Sequence, residues 1–147
     1  NRSFAKYYLN DHGGAIADLT KVIEILPNFA QAYIDRAISK HELKDYLGSI
    51  SDSSKAIEID PKNWDAYSQR GFSKAALEDF YGSVSDYNKA LEIGPTNLNI
   101  YKNRGISKEN LGDIKGACSD WKKASSLGDE DTKKWFKDDC KKFNKIL

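Results

Sequence analysis

Tyr33-Ile34-Asp35-Arg36-Ala37-Ile38-Ser39-Lys40-His41-Glu42-Leu43 is the stretch on which the fold turns. At helical spacing, Tyr33, Ala37 and Lys40 share one side, while Ile34, Ile38 and His41 share the adjoining one. Lys44-Asp45-Tyr46 breaks the pattern. A second helix then reads from Leu47 to Ile59, with Ile50, Ala56 and Ile57 at helical spacing. Asp60-Pro61 ends it, because a proline disfavours helical geometry in the residue before it. The segment is a helical hairpin.

Sliding the chain against itself by 34 residues repeats that hairpin. Pro27, Pro61 and Pro95 fall in one column, and Arg2, Arg36, Arg70 and Arg104 in another. Lys6, Lys40, Lys74 and Lys108 form a third, and Leu9, Leu43, Leu77 and Leu111 a fourth. Asp11, Asp45, Asp79 and Asp113 follow, then Gly14, Gly48, Gly82 and Gly116. Asp18, Asp52, Asp86 and Asp120 precede Lys21, Lys55, Lys89 and Lys123. So many columns in register exclude coincidence. The expected organisation is one domain over 1–147: a partial repeat 1–29, repeats 30–63, 64–97 and 98–131, and a capping helix 132–147. In the last repeat Asp129 replaces the proline, and Asp129-Glu130-Asp131 suits a helix start. The lysines from Lys133 to Lys145 give the cap the polar outer face that a terminal repeat needs.

Composition narrows the function classes. The 147 residues carry 23 Lys and Arg against 22 acids, a net charge of +1. The dominant basic field of a nucleic-acid binder is missing, so no nucleic acid is expected as a partner. No apolar run approaches the roughly 20 residues that span a bilayer, so no membrane insertion is expected. The chain starts at Asn1 and has no methionine, so it is expected to be a fragment or processed product. Cys118 and Cys140 are too few for a disulfide framework and are expected to be free thiols in a reducing, intracellular setting.

These columns resemble the tetratricopeptide repeat (TPR) family, whose units are antiparallel helix pairs. The large aromatic near the start of each first helix is Tyr33, Tyr67, Tyr101 and, in the cap, Trp135. The small residue one turn later is Ala37, Gly71 and Gly105; that of the second helix is Ala15, Ser49, Ser83 and Ala117. The later alanine is Ala56, Ala90 and Ala124, and the closing proline is Pro27, Pro61 and Pro95. The resemblance implies an all-α fold, a right-handed superhelical solenoid of antiparallel helix pairs with a C-terminal capping helix. Two columns depart from the family's commonest pattern: Arg36, Arg70 and Arg104 stand where leucine is frequent, and Lys40, Lys74 and Lys108 where tyrosine is. The arginines recur with Asp52, Asp86 and Asp120 one helix later, which predicts an Arg–Asp pair in every unit, serving architecture rather than binding.

In the family, first helices line a concave groove where ligands lie. Carried over, that implies a protein–protein interaction scaffold holding a peptide or helix of a partner. The implied groove residues are Phe4, Ile34, Ile38, Gln69, Phe72, Lys102, Asn103 and Ile106, with His41 on the next turn and Asp35, Asp65 and Asn99 at the flanks or rim. Packing of the stripe Phe4, Ile38, Phe72 and Ile106 between neighbouring first helices is the competing reading, since apolar residues at helical spacing are most often core. The lysine-rich clamp with which one subtype grips a terminal carboxylate is not reproduced; Lys102 is its one basic candidate. Self-association through the truncated N-terminal edge is an alternative, as is a regulatory role in a longer protein. Catalysis is not expected. His12 and His41 lack ligands at metal spacing, and the glycines recur singly rather than as a phosphate loop, so neither metal nor cofactor is expected.

Overall fold

In the computed structural model, residues 10–141 are described. The expected first helix over 1–9, with Phe4, lies outside the described residues. Eight α-helices follow one another: α1 (His12–Ile25), α2 (Ala30–Glu42), α3 (Tyr46–Ile59), α4 (Trp64–Ala76), α5 (Phe80–Ile93), α6 (Leu98–Asn110), α7 (Ile114–Ser126) and α8 (Glu130–Trp135). The last continues into a π-helical turn, Phe136–Cys140. Among the described residues there is no strand.

Seven of the eight described helix starts are capped by a side chain. Asp11, Asp45, Asp79 and Asp113 are N-caps whose carboxylates accept from the backbone N–H of Gly14, Gly48, Gly82 and Gly116, each at 2.9 Å. The glycine column exists because the capping carboxylate folds over it: a Cβ on Gly48 would fall 2.6 Å from Cγ of Asp45. Asn63 and Asp129 cap α4 and α8 in the same way and Asn97 caps α6 through the N–H of Asn99, whereas Phe29 before α2 makes no side-chain cap. The turns within the hairpins pass through a left-handed residue at Lys44, Glu78 and Gly112, with φ of 62°, 62° and 81°. Lys44 N–H donates to the His41 carbonyl and Asp45 N–H to the Lys40 carbonyl, closing α2 as a Schellman turn.

Helices α2 and α3, α4 and α5, and α6 and α7 pair as hairpins, and each second helix packs on the first helix of the next unit. Tyr33, Ile34 and Ala56 of one unit share a buried cluster with Ala66 of the next. Tyr87 and Ala90 likewise meet Ile100. The core therefore forms as clusters that cross the junctions between units, as a hairpin too thin to bury its own apolar face requires. In addition α2 touches α4 and α4 touches α6, with no comparable contact among α3, α5 and α7. First helices closer to one another than second helices place the former on the inside of the curve.

Within each hairpin the facing residues are matched in size. Gly71 lies under Tyr87, and Gly105 under the wholly inserted indole of Trp121. The second-helix column that grows from Ser53 to Tyr87 to Trp121 thus faces a first-helix column that shrinks from Ala37 to glycine. Close crossing of two helices needs a small residue on one side, and here the small side is set unit by unit.

The cysteines correct the sequence-based expectation. Cys118 and Cys140 form a disulfide, and no free cysteine remains. Cys118 sits on α7 in the column of Ile50 and Val84, whereas Cys140 sits in the column of Ile38, Phe72 and Ile106. These two columns lie 22 residues apart throughout the array. At this spacing the other units carry apolar residues, Ile50 with Phe72 and Val84 with Ile106, whereas at the cap a covalent bond joins second helix to cap. The cap also buries Cys140 against Ala117 and Trp121, with Trp135 edge-on to Trp121 at 5.5 Å between centroids.

Candidate functional site

The expected Arg–Asp pairs are present and reach further than one unit. Arg36 donates Nε and Nη2 to both carboxylate oxygens of Asp52, at 2.8 and 2.7 Å. Arg70 grips Asp86 and Arg104 grips Asp120 with the same fork. Lys40, Lys74 and Lys108 add a second cation to each carboxylate at 2.8–2.9 Å. The remaining guanidinium nitrogen donates backwards, to Thr20, Ser54 and Asn88 respectively. Arg36, Arg70 and Arg104 thus each join three successive helices. Its plane lies over the aromatic one turn earlier, Tyr33, Tyr67 or Tyr101, at 5.4–5.7 Å. The carboxylates are 3–4% exposed. Hydrogen bonding to Asp52 and Asp86 raises the Arg36 and Arg70 guanidinium pKa. With the carboxylates enclosed by two cations each, these networks are structural and leave the inner face to other residues.

On that inner face Ile34 is fully buried with Tyr33, Ala56 and Ala66, and presents nothing to a ligand. Ile38 and Ile106 are half-buried and pack against the core clusters of their own hairpins. Phe72 differs: it is 41% exposed, although it sits mid-helix between them. Its ring stacks on His41 from the preceding first helix, 4.2 Å between centroids and 18° from parallel. His41 also meets Tyr46 edge-on, and its Nδ1 lies 2.9 Å from the Ser73 hydroxyl. Burial pulls the imidazole pKa down, with Glu42 opposing. A neutral imidazole therefore forms one wall of an aromatic step. The periodicity of the sequence places His41 and Phe72 in different columns, so only the offset between stacked units brings their rings together.

Behind that step runs a hydroxyl ladder. Ser73 donates to Ser49 at 2.8 Å, Gln69 Nε2 donates to Ser49 at 3.3 Å, and Ser83 meets Ser107 at 3.0 Å. These small residues satisfy one another where helices of adjacent units touch. Asn103 stands beside the Tyr87 hydroxyl together with Ser83, and burial pushes that phenol pKa up. Lys102 is not available as an anion clamp. Its ammonium lies 3.2 Å from Asp129 and 2.9 Å from Asp131, and 5.3 Å from the Trp135 ring centroid. Those two acids, read in the sequence as helix-starting, also hold down the one basic groove residue.

Two carboxylates on the inner face behave unlike the rest. Asp35 and Asp65, from successive first helices, have their pKa values raised by burial, and Asp65 is raised further by the charge of Asp35. Gln31 donates to Asp35 at 2.8 Å. Among the described residues no lysine or arginine pairs with either carboxylate. Nor does any group of three His, Cys, Asp or Glu side chains there form a metal site, and no helix is long and apolar enough to cross a membrane.

No protein-family model matches the sequence, and no curated protein does. Solved structures do match. MamA from Desulfovibrio magneticus superposes with a TM-score of 0.78 at 20% identity, covering 85% of this chain and 71% of that one. The first TPR domain of Spaghetti (RPAP3), bound to the HSP90 peptide SRMEEVD, superposes with a TM-score of 0.74 at 23% identity over 76% and 88%. YrrB, a TPR protein with an unusual peptide-binding site, gives 0.76 at 24% identity over 80% and 62%. The fold is that of the tetratricopeptide repeat proteins, an all-α solenoid of antiparallel helix pairs.

Proposed function

We propose that this chain is a non-catalytic protein-interaction scaffold that holds a peptide or helix of a partner against its first helices. The observation that carries the reading is Phe72, a large apolar side chain exposed on the inner face while its column neighbours are half-covered. It stands on a rigid support, since His41 backs the ring and Ser73 and Ser49 anchor the imidazole. A preorganised surface loses little freedom on binding, so more of the contact energy appears as affinity. Burying one such side chain contributes about 1.5–3 kcal/mol, enough to make Phe72 an anchor. Gln69 and Asn103 flank it with polar amides, and Ile38 and Ile106 extend the apolar strip. Lys102 belongs to the cap side of the site, and Ile34 supports it from below. Peptide binding by the RPAP3 and YrrB repeats supports the same use of this fold.

Phe72→Asp tests the reading. The variant keeps the helical circular dichroism and melting of the parent, and loses the partners that the parent captures from a native extract. Unchanged capture removes the inner face from the mechanism. Loss of the helical signal assigns Phe72 to packing instead.

A further inference from the structure

We infer that the segment held on this face is cationic beside an apolar anchor: a Lys or Arg about three residues, along an extended peptide, from a leucine-sized or aromatic side chain. The inference rests on the interaction reading above and adds the chemistry of the occupant. Asp35 lies one turn before Ile38 on α2, and Asp65 lies two turns before Phe72 on α4, on the strip that carries the aromatic step. Seven residues of helix rise about 10 Å, the length of about three residues of extended chain. A peptide running along α4 can therefore place a cation at the two carboxylates and an apolar group at Phe72.

Charge decides the sign of the occupant. The partly buried structural acids of the array are neutralised: Asp52, Asp86 and Asp120 by Arg and Lys, Asp129 by Lys102. Asp35 and Asp65 are partly buried, repel each other across the unit junction, and have no cation among the described residues. A buried carboxylate without a counter-charge costs stability, and two side by side cost more. An incoming ammonium or guanidinium relieves both penalties, whereas an acidic segment deepens them. Lys102, the one cation that could favour an acidic peptide, already has two carboxylates on it.

The test is selection of random octapeptides displayed on phage against the full chain. Fluorescence anisotropy of the enriched peptides then follows, on the parent, on Asp35→Asn with Asp65→Asn, and on Phe72→Asp. The expected peptides carry Lys or Arg two to four positions from an apolar residue. The double asparagine variant weakens them about tenfold. Exchanging the peptide's cation for Glu abolishes binding without altering the protein, which keeps the test sound if the double variant misfolds. Enriched peptides that are acidic or uncharged, and that Phe72→Asp still rejects, overturn the cationic occupant while leaving the scaffold reading in place. Absence of enrichment, or peptides indifferent to Phe72→Asp, overturns both.

Discussion

A Cβ added to Gly105 would fall 2.6 Å from Cδ1 of Trp121, a separation no real pair of such atoms keeps. The same atom on Gly71 would meet Tyr87 Cδ1 at 3.3 Å, tight but relievable by a small shift. Alanine in place of helical glycine gains about 1 kcal/mol of helix propensity. Gly71→Ala should therefore lie within about 1 kcal/mol of neutral, while Gly105→Ala should be net destabilising, with overpacking costing about 1–3 kcal/mol. Urea denaturation of the two variants reads the difference, and pairing Gly105→Ala with Trp121→Tyr should restore most of it.

Glu78 occupies a left-handed turn at φ 62° where the next unit has Gly112. A side chain in that conformation costs roughly 1 kcal/mol. Glu78→Gly should raise the melting temperature, and Gly112→Ala should lower it. Equal behaviour of the two turns would show that the backbone conformation is not what decides.

Asp86 holds Arg70 and Lys74 from a nearly inaccessible position. Replacing it with alanine strands two cations, and losing one partner of such a network costs about 3–5 kcal/mol. Lys74→Met, which leaves the two-pronged Arg70 contact intact, should cost far less. Chemical denaturation of both variants checks the ranking.

The inner-face acids give a pH signature. Burial raises the Asp35 and Asp65 pKa values above the ordinary 3.8, so their penalty is present at neutral pH. It is relieved as pH falls through the raised values, and is gone below the unfolded value. Asp35→Asn should stabilise the fold at pH 7 and give no gain at pH 3. His41 works the other way: its pKa is lowered from 6.5, so stability is lost as pH falls below about 6.5. A gain from Asp35→Asn that is constant across the range would contradict the assignment.

The Cys118–Cys140 bond closes a span of 22 residues between α7 and the π-helical turn of the cap. Loops of this size typically contribute about 2–4 kcal/mol when cross-linked. Dithiothreitol should lower the melting temperature of the parent, and should leave Cys118→Ser with Cys140→Ser unchanged. Hydrogen exchange should rise first in Glu130–Cys140.

The repeat and the Arg–Asp pairs are legible in the sequence because each depends on residues at a fixed offset within one chain segment, and the Asp and Gly columns are visible there too, although their joint role as helix caps is not. Asp45 and Gly48 are three apart, and Arg36 and Asp52 sixteen, in every unit. What escaped notice depends on how one unit sits on the next. His41 and Phe72 meet only after stacking, and the pairing of Cys118 with Cys140, expected as free thiols, likewise depends on how the cap sits on α7. Ile34 had the spacing of a groove residue, but the neighbouring Ala66 seals it. Lys102 was recognised as basic, yet its neutralisation requires the cap to return over α6.

Arg36, Arg70 and Arg104 are each locked to an acid of their own hairpin and donate from the same guanidinium to a polar group of the hairpin before, so a joint between hairpins cannot swing without breaking a hydrogen bond from an arginine that is itself held fast. Such a stack behaves as a stiff arc rather than a spring. Its span does not adapt to what it carries. A partner must match the curvature it finds, and discrimination between candidates then comes from shape fixed before they meet.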